Sequence, residues 1–158
     1  MSPQTKTAAL TFKRQASEVH EGRTQYAHLI GLKETDPLSL AGKVESGLDF
    51  QAFVRLQREV QLTTARLAEL ISMTNRTLAR RKRAGRLKPT ESDRLLRVAR
   101  IFQLALALFE GERSPAQSWL ETPNAALNAK TPLELSKTEI GAREVENLVQ
   151  RLEHGVFA

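Results

Sequence analysis

The sequence predicts an all-α protein in which a helix-turn-helix unit is joined by a long helix to a small C-terminal helical domain. Apolar residues make up 41% of the 158 residues and aromatic residues only 5%, so the core should consist chiefly of Leu, Ala, Val and Ile. Apolar positions recur at helical spacing after residue 48, and capping residues precede them. We divide the chain into an N-terminal arm (1–48), a helix-turn-helix unit (49–89), and a connecting helix with a helical domain (90–158).

The arm carries scattered apolar residues that glycine and proline interrupt, at Gly22, Gly31, Pro37, Gly42 and Gly47. Such interruptions favour short ordered pieces over long helices. The arm is compatible with dimerisation, with a partner contact or with neither.

Three short helices are predicted in the helix-turn-helix unit. Asp49 caps the first, which runs to about residue 60. Thr63 or Thr64 caps the second, and Thr74 caps the third, which ends at about residue 84. Gly85 follows, where a helix end favours a left-handed residue. Only residues 72–74 separate the second helix from the third, the spacing of a unit that places its third helix in the DNA major groove.

The third helix is strongly basic. No acidic residue lies between Glu69 and Glu91, whereas seven cations lie there: Arg76, Arg80, Arg81, Lys82, Arg83, Arg86 and Lys88. A solvated basic face without a ligand is the alternative interpretation, but the helix-turn-helix spacing favours DNA. The residues expected at base edges are Asn75, Arg76, Thr77 and Arg80. Those expected at phosphates are Arg81, Lys82, Arg83, Arg86 and Lys88.

The remainder of the chain predicts further helices. Thr90, with Asp93 three residues later, should open a long helix whose apolar residues cover most of its circumference, so that it is buried on nearly all sides. Proline after Ser or Thr predicts short helices that begin near residues 115, 123 and 132. A final helix should run from about residue 138 to His154 and end at Gly155. Its inward residues are expected to be Ile140, Val145, Leu148, Val149 and Leu152.

The C-terminal part differs from the rest in charge. Residues 1–109 hold 19 basic and 10 acidic side chains, a net +9, while residues 110–158 hold 5 and 8, a net −3. The two parts are therefore expected to meet different partners. Trp119 has a core interpretation and an alternative one at the edge of a partner surface. The apolar ending Val156-Phe157-Ala158 either folds back or inserts into a pocket of another protein.

Several classes of protein are disfavoured. The chain has no cysteine and hence no disulfide or thiolate chemistry, and its histidines, at positions 20, 28 and 154, do not form a metal motif. No apolar run approaches the roughly 20 residues that cross a bilayer, and no secretory signal is visible. Phosphate-binding glycine loops and nucleophile elbows are also absent from the sequence. We expect a cytoplasmic, non-enzymatic protein without cofactor or metal.

Several strings of residues match one family in the right order. They are Arg76-Thr77-Leu78-Ala79-Arg80-Arg81-Lys82, Gly85-Arg86-Leu87, Glu91 to Arg97, Trp119-Leu120, Pro123-Asn124, Thr131-Pro132-Leu133, Thr138-Glu139-Ile140-Gly141 and Glu153 to Ala158. Over about residues 50–158 the chain resembles the Xre-type antitoxins that are paired with RES-domain toxins in bacterial toxin–antitoxin operons. The turn has Ser72 where many relatives carry glycine, and residues 1–48 lie outside the resemblance.

The resemblance implies an antitoxin with two tasks. Its helix-turn-helix would bind the operator and repress its own operon, while its C-terminal domain would bind a RES toxin, an NAD-consuming relative of ADP-ribosyltransferases, and occlude the active site with its C-terminal end. A homodimer within a larger complex is also implied. The implied toxin-binding residues are Trp119, Glu153, His154, Gly155, Val156, Phe157 and Ala158.

Two other functions are compatible with the residues alone. The first is a stand-alone helix-turn-helix transcriptional regulator with a C-terminal dimerisation module. The second is an RNA-binding protein, which is disfavoured because no aromatic residue lies among the cations to stack on unpaired bases. The reading frame beside the gene discriminates between antitoxin and regulator, since a RES-type neighbour supports the antitoxin.

Overall fold

The computed structural model describes residues 25–33 and 36–155. The expectations for the ending Val156-Phe157-Ala158 and for residues 1–24 lie outside the described residues. Within the described part, the regular elements are helices, and extended pairing is limited to two isolated bridges, Asp49 with Arg86 and Asn124 with Lys130. The predicted all-α fold class is confirmed. None of the helices described is long and apolar enough to cross a membrane.

The elements follow one another with short connections. A 3₁₀ helix spans Gln25–Ile30, and the α-helices are α1 Pro37–Ser46, α2 Phe50–Val60, α3 Thr64–Leu70, α4 Asn75–Ala84, α5 Pro89–Leu108, α6 Arg113–Glu121, α7 Pro132–Leu135 and α8 Glu139–Glu153. A second 3₁₀ helix, Ala125–Leu127, lies between α6 and α7. Two pieces of the N-terminal arm are thus ordered, the first 3₁₀ helix and α1.

Local capping explains where the helices of the helix-turn-helix begin. Asp49 accepts a hydrogen bond from the Gln51 amide at 2.8 Å, Thr63 from the Arg66 amide at 3.1 Å, and Thr74 from the Thr77 amide at 3.2 Å. Each cap satisfies an amide that has no partner inside its helix. The predicted caps at residues 49, 63 and 74 are confirmed, as is the left-handed Gly85, with φ of 73°.

One continuous apolar core joins the helix-turn-helix to the C-terminal helices. Leu56 of α2, Val98 of α5 and Val145 of α8 are fully buried in the same cluster. The long helix α5 packs against the first 3₁₀ helix, α1, α6 and α8, so it contributes to both ends of the core. A 20-residue helix is about 30 Å long and can act as a rigid connection between them.

The start of α5 differs from the prediction. The helix begins at Pro89 rather than after Thr90, and Glu91 rather than Asp93 completes the cap by accepting the Lys88 amide at 2.8 Å. Proline suits the first helical position because its missing N–H would have no intrahelical partner there.

The helix starts that proline predicted in the C-terminal part are confirmed only in part. The helix expected near residue 115 begins at Arg113, and the one expected near residue 123 is only the 3₁₀ turn Ala125–Leu127. The helix expected near residue 132 begins at Pro132. The expected final helix is α8, which Thr138 caps.

The prediction that Ile140 points inward is wrong. This side chain is 80% exposed, whereas Val145, Leu148 and Val149 are buried as expected. In the first turn of α8 the inward positions belong to Gly141 and Ala142. A side chain at Gly141 would collide with the backbone of Leu135, so the first turn lies too close to α7 for a bulky residue there.

Candidate functional site

The outer face of α4 presents unpaired positive charge. Arg76, Arg80, Lys82 and Arg83 are exposed, and none of them forms an ion pair or hydrogen bond with a described residue. Asn75 is exposed at the first position of the helix. Leu78 is half-buried and packs on the core, as predicted. The third helix of the helix-turn-helix unit, α4, therefore directs its basic side to solvent.

The structure corrects the assignment of Arg81. This residue was expected to hold a phosphate, but it is only 8% exposed, and its Nε donates to both carboxylate oxygens of Glu91, at 2.7 and 3.0 Å. The hydrogen bond to Glu91 raises the pKa of Arg81. Burial raises the pKa of Glu91, but the hydrogen bonds from Arg81 and from the Lys88 amide outweigh it and leave that pKa below its ordinary value. Both groups remain charged, and the partner that the structure gives to Arg81 is the Glu91 carboxylate.

Other residues of the predicted DNA-binding set have structural contacts of their own. The guanidinium of Arg86 is exposed and donates to the carbonyl of Ser46, at the end of α1, over 3.2 Å. Thr77 is half-buried, and its hydroxyl accepts a hydrogen bond from the Thr74 hydroxyl at 3.1 Å. Lys88 is exposed beside the start of α5. Thr77 thus contributes to the cap of α4 whatever else it contacts.

The end of α4 is fastened to the start of α2 by the backbone. The Phe50 amide donates to the carbonyl of Gly85 at 2.9 Å, and the Leu87 amide donates to the carbonyl of Leu48 at 2.8 Å. Leu87 itself is buried in the core. These bonds hold the last turn of α4 against the start of α2.

The outer face of α8 is the second exposed surface of interest. It begins with Ile140 and ends at a shallow cleft of about 330 Å³. The cleft is lined by Asn147, Gln150, Arg151 and His154. Glu153 and Gly155 are exposed beside it, at the end of the described chain.

Trp119 lies between the core and the surface. Its ring is half-buried and tilted against Phe109, with ring centroids 6.4 Å apart. This contact ties the end of α5 to α6, so the core interpretation accounts for part of the ring. The other part of the ring is exposed, so a contact between Trp119 and a partner protein stays a prediction.

Ionic contacts that the sequence reasoning missed join the helix-turn-helix to the C-terminal helices. Lys137, after α7, pairs with Glu69 of α3 at 2.7 Å, and hydrogen bonds from Lys137 and Arg66 lower the pKa of Glu69 to about 2. Glu139 of α8 receives Arg97 and Arg100 of α5, at 3.0 and 3.1 Å. Helical spacing could have suggested the α5 pairs, because Arg97 and Arg100 are three residues apart and share a helix face. No local signal marks the Glu69 pair.

The exposed groups of α4 have the chemistry of a binding surface. Within residues 25–33 and 36–155, no three His, Asp or Glu side chains lie together as metal ligands would. The exposed groups of α4 are hydrogen-bond donors and cations, which are suited to phosphate oxygens and base edges.

Two family models match consecutive parts of the chain. Residues 39–100 match the antitoxin Xre-like helix-turn-helix domain. Residues 104–155 match the antitoxin Xre/MbcA/ParS C-terminal toxin-binding domain. The first match begins within α1, so this helix, which was assigned to the arm, lies within the matched domain. The second contains α6, α7 and α8.

Two curated proteins match most of this chain, and a third matches about half of it. The chain is 33% identical to an Antitoxin Xre of Yersinia enterocolitica over 130 residues, which are 82% of this chain and 88% of that protein. It is 30% identical to an Antitoxin Xre of Pseudomonas putida over 138 residues, 86% and 85% of the two chains. An Antitoxin Xre of Photorhabdus laumondii is 36% identical over 74 residues, 47% and 50% of the two chains. Because two of these antitoxins are 33% and 30% identical to this chain over 82% and 86% of its length, the chain belongs to the Xre family of antitoxins.

Proposed function

We propose that this protein neutralises a cognate RES-domain, NAD-consuming toxin with its C-terminal helices and represses its own operon with its helix-turn-helix. The observation that carries the proposal is the presence, around one shared core, of an unpaired cationic recognition helix and a domain that matches toxin-binding domains. The RES type of the toxin is what the sequence resemblance implies.

We propose that the residues predicted to bind DNA do so, except for Arg81. Arg81 is left out because it is buried and hydrogen-bonded to Glu91. Arginine side chains at the start of a recognition helix reach guanine edges, while cations at its end and beyond reach phosphates. The base-edge candidates are Asn75, Arg76, Thr77 and Arg80. The phosphate candidates are Lys82, Arg83, Arg86 and Lys88. A homodimer would place two such helices about one helical turn of DNA apart.

For the toxin, we propose that α8 and the chain end beyond it form the contact surface. A single exposed apolar residue is not by itself evidence of an interface, but Ile140 lies on the face of α8 that leads to the cleft at His154, within the domain that matches toxin-binding domains, so it is our candidate anchor for the toxin. The exposed residues Glu153, His154 and Gly155 lead to Val156, Phe157 and Ala158, which we propose occlude the toxin's active site. Trp119 would contribute the exposed edge of its ring.

A truncation tests the occlusion. A variant that lacks Val156, Phe157 and Ala158 is co-expressed with the RES toxin encoded beside this gene, and growth and cellular NAD are measured. We expect loss of protection, with binding to DNA unchanged because the truncation leaves α4 and its proposed DNA contacts intact. Full protection by the truncated chain would rule out occlusion by these residues. If the adjoining reading frame encodes no RES-type protein, the proposed identity of the toxin is wrong.

A matched pair of variants tests the α8 surface. Ile140 and Leu38 are both large apolar residues that are about four-fifths exposed, the first on α8 and the second on α1. Ile140→Ala should weaken capture of the toxin in a pull-down by about tenfold, the effect of losing an interface anchor. Leu38→Ala should leave it unchanged. Equal effects of the two substitutions would contradict a specific role for α8.

A further inference from the structure

The recognition helix α4 is attached to the rest of the protein mainly through a buried charged side chain rather than through buried apolar ones. Its buried residue is Arg81, a charged side chain, while Thr77 and Leu78 are only half-buried. The neighbouring helices α2 and α3 instead bury several apolar side chains each. Apolar packing is not directional, so it leaves the rotation of such a lightly packed helix poorly determined.

The partner of Arg81 belongs to the best-anchored part of the fold. Glu91 lies in the first turn of α5, where it also accepts the Lys88 amide. The next turns of α5 bury Leu95 and Val98 completely in the core. The two hydrogen bonds from Arg81 therefore connect α4 to the first turn of α5, a helix that is anchored in the core. Bonds between charged groups are directional and strong when solvent is largely excluded.

The position of Arg81 on α4 determines what this connection controls. Arg81 follows Arg80 directly, so the two side chains point about 100° apart on the helix. Because Arg81 is held against Glu91, Arg80 and Arg76 are directed to solvent at a defined rotation. A base-edge contact needs its donors within a fraction of an ångström of the correct place. A small rotation of α4 would misplace both arginines together.

We infer that the buried Arg81–Glu91 ion pair positions the recognition helix for base-specific readout, so that Arg81 controls sequence discrimination without contacting DNA. This inference rests on the proposed DNA-binding function. Arg81 is a positioning residue in this scheme. Its charge is compensated by Glu91, so it contributes little to the general attraction for phosphates, which comes from the unpaired cations of α4.

The test separates discrimination from general affinity. The wild-type chain selects duplexes from a randomised pool, and binding is then measured to the selected duplex and to a scrambled duplex of the same composition, at several salt concentrations. The variants are Arg81→Met and Arg81→Lys. Arg113→Met is the control. Arg113 of α6 pairs with Glu59 of α2 at 2.6 Å, so this substitution also removes an ion pair between helices, but one that does not involve α4.

We expect Arg81→Met to lower the ratio of selected to scrambled affinity by about tenfold or more, the value of one good base contact. The affinity for scrambled DNA should fall much less than this ratio, through the negative charge that Glu91 keeps when its partner is removed, and the salt slope should stay as in the wild type because no phosphate contact is lost. Arg81→Lys, which keeps the charge near Glu91, should retain part of the discrimination, and Arg113→Met all of it. Amide hydrogen exchange should show weaker protection in α4 and unchanged protection in α8.

Other results would overturn the inference. A ratio within about twofold of wild type would show that the pair only stabilises the fold. A uniform loss of affinity with a salt slope lower by about one would show that Arg81 contacts a phosphate. If Arg81→Met does not fold, Glu91→Gln replaces it, since glutamine can still accept the Lys88 amide, and the same ratios decide. If the wild type selects no sequence, the proposed DNA-binding function fails, an outcome visible before any variant is made.

Discussion

The turn of the helix-turn-helix contains a residue in a conformation that suits glycine better. Ser72 has φ of 56°, its side chain is exposed, and its amide donates to the carbonyl of Glu69 at 2.9 Å. The left-handed region costs a residue with a Cβ roughly 1–2 kcal/mol. Glycine avoids this cost and keeps the amide bond, but it has more freedom in the unfolded chain. We expect Ser72→Gly to raise the free energy of unfolding by about 0.5–1 kcal/mol.

Gly42 provides a matched substitution in the opposite direction. It lies inside α1, and a Cβ there would meet no atom within 4 Å. Gly42→Ala should therefore also stabilise, by about 0.5–1 kcal/mol, through helix propensity. Ser72→Ala is the control, because it keeps a Cβ at the strained position and should change stability by less than about 0.5 kcal/mol.

Urea denaturation followed by circular dichroism measures all three variants. A shift of the midpoint at constant slope reports stability, and 1 kcal/mol corresponds to a rise in Tm of about 2–4 °C for a chain of this size. If Ser72→Gly is neutral or destabilising while Gly42→Ala stabilises, the reasoning from the backbone of Ser72 is wrong. If Ser72→Ala stabilises as much as Ser72→Gly, the side chain rather than φ is responsible.

Three further predictions concern the two surfaces and the connection between them. Arg80→Ala should relax sequence preference, whereas Lys82→Ala should weaken binding to all duplexes evenly and lower the salt slope by about one in titrations; equal loss of preference from both would contradict this division. Since the pKa of Glu69 is about 2 against an ordinary 4.5, its stabilising contribution is present above 4.5 and is lost as pH falls toward 2. Glu69→Gln should therefore have a lower free energy of unfolding than the wild type at neutral pH, as measured by urea denaturation. If the difference between the two proteins does not narrow as the pH falls from 4.5 toward 2, the lowered pKa of Glu69 is refuted. Gly141→Ala should destabilise by about 1–3 kcal/mol in calorimetry, because its Cβ would collide with the backbone of Leu135; an unchanged Tm would show that α8 can shift without cost.

The sequence alone predicted the helix-turn-helix closely because its signals are local. Asp49, Thr63 and Thr74 cap helices through amides two or three residues away, and such contacts depend little on the remainder of the fold. The common face of Arg76, Arg80 and Arg83 on α4 was equally predictable, since a helical wheel needs only residue spacing. The start of α5 was predicted less well, because Thr90 and Asp93 were expected to form its cap, whereas Glu91 completes it by accepting the Lys88 amide.

Tertiary structure decided which charged and apolar residues are available to partners. Arg81 was indistinguishable from Arg80 in sequence, and only the approach of α5 to α4 brought Glu91 within hydrogen-bond distance of it. Ile140 was expected inward, but it lies five residues before Val145 and hence about 140° from it around the helix, so the 3.6-residue period itself places it on the outer face, where it is 80% exposed. Only the tertiary structure shows that the inward position at Gly141 has no room for a side chain, because the backbone of Leu135 lies against it. Partners that are distant in sequence become neighbours only when the core packs, and capping signals, which act over a few residues, cannot specify them.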